Sequence, residues 1–395
     1  MLIINLYKFY DNVFKGTFMN DNNNRKIETL TGMRFVAIML IVISHFDFFI
    51  PKTELIGTVF YNYLKNATFG VDYFFILSGF GLMLSDIHRN GSTKYNNITI
   101  INSIKYAIQH IKKIYPLYIT TILLGIPIYI YLSLIAGKSM SLIISFLLLK
   151  LSACILLIQS AFGVLWLSHA FNGVCWFLSC LFCIYLVSPF FINLLKKYCI
   201  SIRRIIISLL TLPILAVLTA VIFKQIEYNT CFDDIVYGSP YRRCIYVVFG
   251  MVIALLFNKI KNTKKIKYIN TYEIFLLIFG IFWYIFRHTV LFALPYINLI
   301  YIIDMIFAGL TVLLLSLNKG HISNWFSNNK LVYLGNLSMY IFLIHYIICE
   351  YLHKIYKYYN INSTYSATIM ISIELILTFM LSILLYTKSR KTKIE

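Results

Sequence analysis

The run TGMRFVAIMLIVISHFDFF, residues 31–49, sets an arginine and a histidine into an almost wholly apolar stretch. Arg34 and His45 are eleven steps apart. At about 100° per residue that is within ~20° of three full turns, so a helix carries both on one face. At ~1.5 Å per residue they stand roughly 16 Å apart, about half of a ~30 Å hydrocarbon core. In a membrane-crossing helix this puts Arg34 at the inner surface and His45 near the midplane. An ionisable group at that depth is costly and marks a water-filled path or a reaction. A neutral imidazole there can accept a proton, which is the work of a general base. Asp47 is about 200° around the helix from His45, so it reads as a carboxylate at the loop edge and not as a partner of that ring.

Further polar residues punctuate apolar runs. FGVDYFFILSGFGLML (69–84) carries Asp72, Ser78, Gly79 and Gly81; Asp72 near a helix start suits the helix dipole, and the small residues allow close helix approach. HIKKIYPLY (110–118) brings Lys112 and Lys113 together before Tyr115 and Pro116, a positive mouth suited to phosphates. Trp176 reads as an interfacial anchor, and Arg242 and Arg243 as headgroup snorkels. His345, with Ser338 seven residues before it, stands about as deep as His45. His288, Asp304 and Glu350 are further rare polar groups without an evident role.

The elements that position these residues follow from composition. The chain has 395 residues, of which 60% are hydrophobic and 13% charged, with mean hydropathy +0.78. A soluble domain cannot hide that much apolar surface, so lipid is the solvent for much of it. Ten stretches are long enough to span: 33–50, 68–86, 115–136, 174–195, 203–223, 242–258, 273–293, 299–317, 332–352 and 366–387. The net charge of +20 does not indicate nucleic-acid binding, because the basic residues lie in short runs between apolar segments. KKYCISIRR (196–204) and NKIKNTKKIK (258–267) both belong on the cytoplasmic side, which forces 139–162 to be a re-entrant or surface-lying segment. Both termini are then cytoplasmic, and 25 of the 35 Lys and Arg fall inside. The expected architecture is an all-α polytopic membrane protein of about ten transmembrane helices with one extra re-entrant or interfacial apolar segment. It has a cytoplasmic tail over 1–30, a transmembrane domain over 31–387 and a basic tail over 388–395. The loop 224–241 carries Glu227, Asp233 and Asp234 on the outer side. No signal peptide is visible, and the eight cysteines, the Cys180/Cys183 pair included, imply packing and not a disulfide framework. No metal-ligand spacing is present.

Taken in order, the motifs resemble those of the acyltransferase-3 family of integral membrane acyltransferases, from about residue 27 to 387. LTGMRFVAIMLIVISHF resembles the first-helix pattern of a basic residue, ten residues and a histidine. FGVDYFFILSGF resembles the second-helix signature, KKIYPLY the entry to the third helix, and CWFLSCLFCIYLVSPFF the Trp-x-Leu-Ser segment. Arg243, seven residues before Gly250, resembles an arginine-to-glycine helix motif, and LGNLSMYIFLIH the late stretch that ends in histidine. The chain also departs from the pattern. Met33 and Phe35 flank Arg34 where the family often has Leu-Arg-Gly, His110 and Lys113 stand where two arginines are common, and Leu181 and Phe182 replace a frequent glutamate.

The resemblance implies an O-acyltransferase that moves an acyl group, commonly acetyl, from acyl-coenzyme A to a hydroxyl of a cell-surface carbohydrate or its lipid-linked precursor. Arg34 and His45 would be catalytic. Arg34, Lys112, Lys113 and Tyr115 would hold the donor, and Asp72, Ser78, Trp176, Arg243 and His345 the acceptor side. The setting would be the plasma or inner membrane. The rival reading, a secondary transporter or a flippase of a sugar or lipid-linked glycan, calls for matched repeats in the two halves, and residues 1–195 and 196–395 show none.

Overall fold

The computed structural model describes residues 27–50, 55–65, 68–89, 99–262, 267–293, 297–359 and 364–391. The Asn-rich stretch 19–25 and the last four residues lie outside them. Every element in the described part is helical: α1 (Glu28–Ser44), continued by a 3-10 turn His45–Phe48, α2 (Leu55–Val59), α3 (Thr68–His88), α4 (Ile100–Ile111), α5 (Tyr115–Ile135), α6 (Met140–Ile155), α7 (Leu165–Ser168), α8 (Trp176–Tyr198), α9 (Ile202–Asn229), α10 (Pro240–Ile260), α11 (Ile269–Ala293), α12 (Ile297–Leu317), α13 (His321–Phe326), α14 (Asn329–Asn336), α15 (Ser338–Tyr358) and α16 (Thr364–Lys391). Among these residues nine helices are long and apolar enough to cross a membrane. The pair α14 and α15, bent by 54°, makes a tenth when counted as one broken span. The chain is a polytopic membrane protein, and the nine helices and this pair fall on the ten expected stretches.

Lipid gives no hydrophobic drive between helices, so their packing rests on close backbone approach. The two most deeply buried spans, α3 and α10, cross at glycines. A Cβ on Gly79 would come within 1.8 Å of the Val247 carbonyl oxygen, and one on Gly250 within 1.9 Å of that of Ile76. Gly79→Ala therefore pushes on backbone. We expect a loss of about 1–3 kcal/mol, the range for overpacking, read as a lower thermal midpoint in detergent micelles. Gly81 has open space around it, so Gly81→Ala is the matched control.

The segment expected to be re-entrant or surface-lying, 139–162, holds Met140–Ile155, a 16-residue apolar helix shorter than a span, and residues 157–175 fold back into the bundle mostly as turns. Most of their buried polar groups are paired: Ser160 Oγ donates to the Trp176 carbonyl (2.8 Å), Ser179 Oγ to the Leu157 carbonyl (2.9 Å) and Gln159 Nε2 to the Tyr118 hydroxyl (2.9 Å), while the Gln159 Oε1 has no partner among the described residues. Irregular backbone is tolerated at such depth only when it is so enclosed. Between α3 and α5 stands α4, which buries Tyr106, Ala107 and Ile111 and packs on α8. The loop read as 224–241 shrinks to about ten residues, because α9 runs on to Asn229 and α10 starts at Pro240.

Candidate active site

His45 ends α1 and opens the 3-10 turn. Three hundred residues later, the bend at Leu337 redirects the chain so that α15 brings His345 against it. The ring centroids are 5.2 Å apart at an interplanar angle of 63°, and Tyr346 stands 5.3 Å from His45 on another side. Each imidazole holds its Nδ1 close to the carbonyl four residues earlier, Ile41 at 2.8 Å and Ile341 at 2.9 Å. A carbonyl only accepts, so each Nδ1 carries the proton and each Nε2 keeps a lone pair. In His345, fully buried, that Nε2 has no partner among the described residues. The partner that orients His45 is thus backbone, not the glutamate absent at Leu181 and Phe182. Asp47 pairs with Lys65 at 2.6 Å.

Arg34 was expected at the membrane surface, and the structure moves it inward. Gly32 lies on the Phe326 carbonyl and Gly335 on that of Thr31, so α13 and α14 cover the first turns of α1. Across from it, Gly70 of α3 meets the Ala37 carbonyl and the Tyr73 hydroxyl reaches that of Leu30 (3.2 Å). Arg34 stands between these levels, half-buried, within electrostatic reach of Tyr73 and Tyr185. It makes no hydrogen bond or ion pair among the described residues. Tyr185 also contacts the His110 ring (5.2 Å). Lys112 and Lys113 follow on the exposed surface, while Tyr115 is turned away, its hydroxyl on the Ile155 carbonyl (2.8 Å). Ser78 donates within α3 to Phe74 (2.8 Å) and lies at Tyr185, with Arg34 and not with the acceptor-side residues.

One helix accompanies the Arg34–His45 stripe. On α8, Phe177 packs on Phe342 (5.3 Å), which packs on His345 (6.2 Å); eight residues on, about 12 Å along the axis, Tyr185 is in reach of Arg34.

Asp72, Trp176 and Arg243 do come together. Arg243 donates to Asp72 (2.5 Å) and to the Tyr237 carbonyl (2.9 Å), with Trp176 5.7 Å from its guanidinium. Arg242 and Arg243 are not snorkels: both side chains are fully buried, Arg242 against Tyr301 (3.8 Å) and bonded to the Tyr246 hydroxyl (2.6 Å). Trp176 is not an interfacial anchor either, being 5% exposed and packed on Tyr237. Asp304 accepts from Trp283 (2.7 Å) and Arg287 (2.6 Å). Glu350 is half-buried on α15. The His288 side chain lies outside the described part.

The sequence reading overlooked His169. It sits in the turns before α8, 6.3 Å from the Trp176 ring and within electrostatic reach of His45. Its Nδ1 meets Ser168 Oγ at 2.9 Å, and Ser168 donates to Asp234, whose other oxygen accepts from the Gly238 amide (3.1 Å). The same Nδ1 stands 3.6 Å from the Asp234 carboxylate. No helical period flags such a residue. The signal was its place between a tryptophan-headed helix and an acidic loop. Among the described residues no group of three or more His, Cys, Asp or Glu is placed to hold a metal ion.

A family model described as an acyltransferase domain, Acyl_transf_3, matches residues 27–387. Comparison with curated proteins and with solved structures gives no match.

Proposed function

We infer the reaction from one premise: the chain belongs to the acyltransferase-3 family and is a membrane acyltransferase. We propose that it transfers an acetyl group from acyl-coenzyme A to a hydroxyl of a cell-surface carbohydrate or its lipid-linked precursor, in the plasma or inner membrane with both termini cytoplasmic. The observation that carries the reading is the His45–His345 pair, two imidazoles 5.2 Å apart with the Nδ1 of each spent on a carbonyl.

His45 Nε2 takes the proton of the acceptor hydroxyl as its oxygen attacks the thioester carbonyl. The new C–O bond forms, the C–S bond breaks, and the departing thiolate receives that proton back from the imidazolium. His345 and Trp176, with Asp72 and Arg243 beside them, bound the acceptor side. Arg34 holds the donor from the other end of the stripe, with Lys112 and Lys113 two and three residues beyond His110 at its phosphates. The test is purified protein with acetyl-labelled coenzyme A and a panel of surface glycans. Alkali-labile label on a glycan is the expected result. Labelled sugar crossing a vesicle wall without ester formation would establish a transporter instead.

A further inference from the structure

We propose that two adjoining cavities bind one membrane lipid whose phosphate carries a sugar, the acceptor in its lipid-anchored form; this rests on the acyl-transfer reading for its role but not for its binding. The first cavity, about 390 Å³, is an apolar slot between α1 and α11 lined by Met33, Leu40, Leu276, Gly280, Phe307 and Phe326. From Glu273 to Tyr284, both in its wall, α11 rises eleven residues, about 17 Å, close to one leaflet of a ~30 Å core. Two more wall residues, Leu277 and Ile281, are 48% and 55% exposed, so the slot opens sideways to lipid. α11 is also the least buried of the spans. A hydrocarbon chain is the occupant such a slot admits.

The second cavity, about 220 Å³, is lined by Asp72, Tyr237, Arg243, Arg287 and Tyr301. The two meet at one ion pair: Asp304 is in the wall of the slot and Arg287 in that of the polar cavity, 2.6 Å apart. The order along the path is hydrocarbon, guanidinium, then a chamber of carboxylate, guanidinium and phenol rings. That is the order of a chain, a phosphate and a hydroxylated ring. Three guanidiniums, Arg242, Arg243 and Arg287, gather here with the carboxylates Asp72 and Asp304, and the Arg242 Nε is buried without a partner among the described residues. A phosphate is the acceptor that suits forked donors of this kind. Asp234, a third carboxylate within electrostatic reach of Arg243, is held by Ser168 and Gly238. The polar chamber adjoins Trp176 through Tyr237 (5.1 Å), and Trp176 in turn meets the His169 ring (6.3 Å).

The test uses the full chain in detergent and reads its thermal midpoint against three probes: a polyprenyl-phosphate hexose, phosphatidylglycerol and glucose 1-phosphate. The expected result is saturable stabilisation by the first at a concentration at least tenfold below the others. Ile281→Trp, which fills the slot from its lipid-facing side, and Arg287→Lys, which keeps charge but loses the fork, should each weaken it at least tenfold. Their midpoints without lipid report that they fold. Equal stabilisation by phosphatidylglycerol would mean an ordinary bilayer lipid and overturn the proposal. So would equal binding of glucose 1-phosphate, no binding at all, or an Ile281→Trp chain that binds normally. His45→Ala should bind the lipid as the parent does. Intact binding without any transfer sinks the acyl-transfer reading alone, whereas transfer to free sugars without lipid binding sinks only this site.

Discussion

Replacing His45 with alanine is expected to lower acyl transfer by ~10²–10⁴-fold, the usual contribution of a general base, while the protein still folds and inserts. His45 is half-buried at the end of α1, where its side chain bonds only to the Ile41 carbonyl and, at 3.5 Å, to Ser44. Its ring meets only the edges of His345 and Tyr346, so the loss should appear chiefly in the rate of label transfer, with a smaller drop in thermal midpoint than for His345→Ala. His345→Ala is a harsher change, because it opens a void in the core around a ring that is fully buried. Glutamine at position 45 separates the roles: it can hydrogen-bond but cannot take a proton at neutral pH, so it should be as inactive as alanine. A His45→Gln enzyme that turns over normally would remove the base from the mechanism.

The largest effect on stability is expected from Asp72→Asn. It leaves Arg243 fully buried with its cationic charge unmatched at the place where Asp72 met it at 2.5 Å. Breaking such a pair from one side typically costs about 3–5 kcal/mol, because the surviving charge stays out of water. The tyrosines around it accept or stack but carry no negative charge to take over. Thermal unfolding in micelles should show a much lower midpoint. The double variant Asp72→Leu with Arg243→Met removes both charges and should regain much of the stability, since replacing a buried pair by apolar groups is often neutral, yet it should not regain activity. An Asp72→Asn protein as stable as the parent would mean that Arg243 is neutralised by some other group.

Much of this could be read from the chain. Apolar length alone placed ten spans, because in lipid a helix is the only way a lone segment can satisfy its own backbone. His45 and His345 were visible as rare polar groups within two of them. Their contact was not, since 300 residues separate them and the angle that joins them is set at Leu337. Arg34 was put at a surface because the sequence does not reveal α13 and α14 folding over the start of α1. Arg242 and Arg243 read as snorkels for a similar reason: a basic residue at a helix start looks the same whether water or Asp72 is waiting for it. His169 and Asp234 lie in irregular backbone and Ser168 closes the four-residue α7, where no period gives one side chain a direction relative to another.

The glycine crossing of α3 and α10 has a mechanical consequence. With a carbonyl pressed into each notch, the two rods can neither slide nor roll without collision, so they form the stator of this machine. Asp72 and Arg243 are riveted to it one on each rod, which holds the chamber beside them to a fixed shape through every turnover. Whatever must give way to let large reactants in and out is left to the perimeter, where α11 is the least buried span among the described residues.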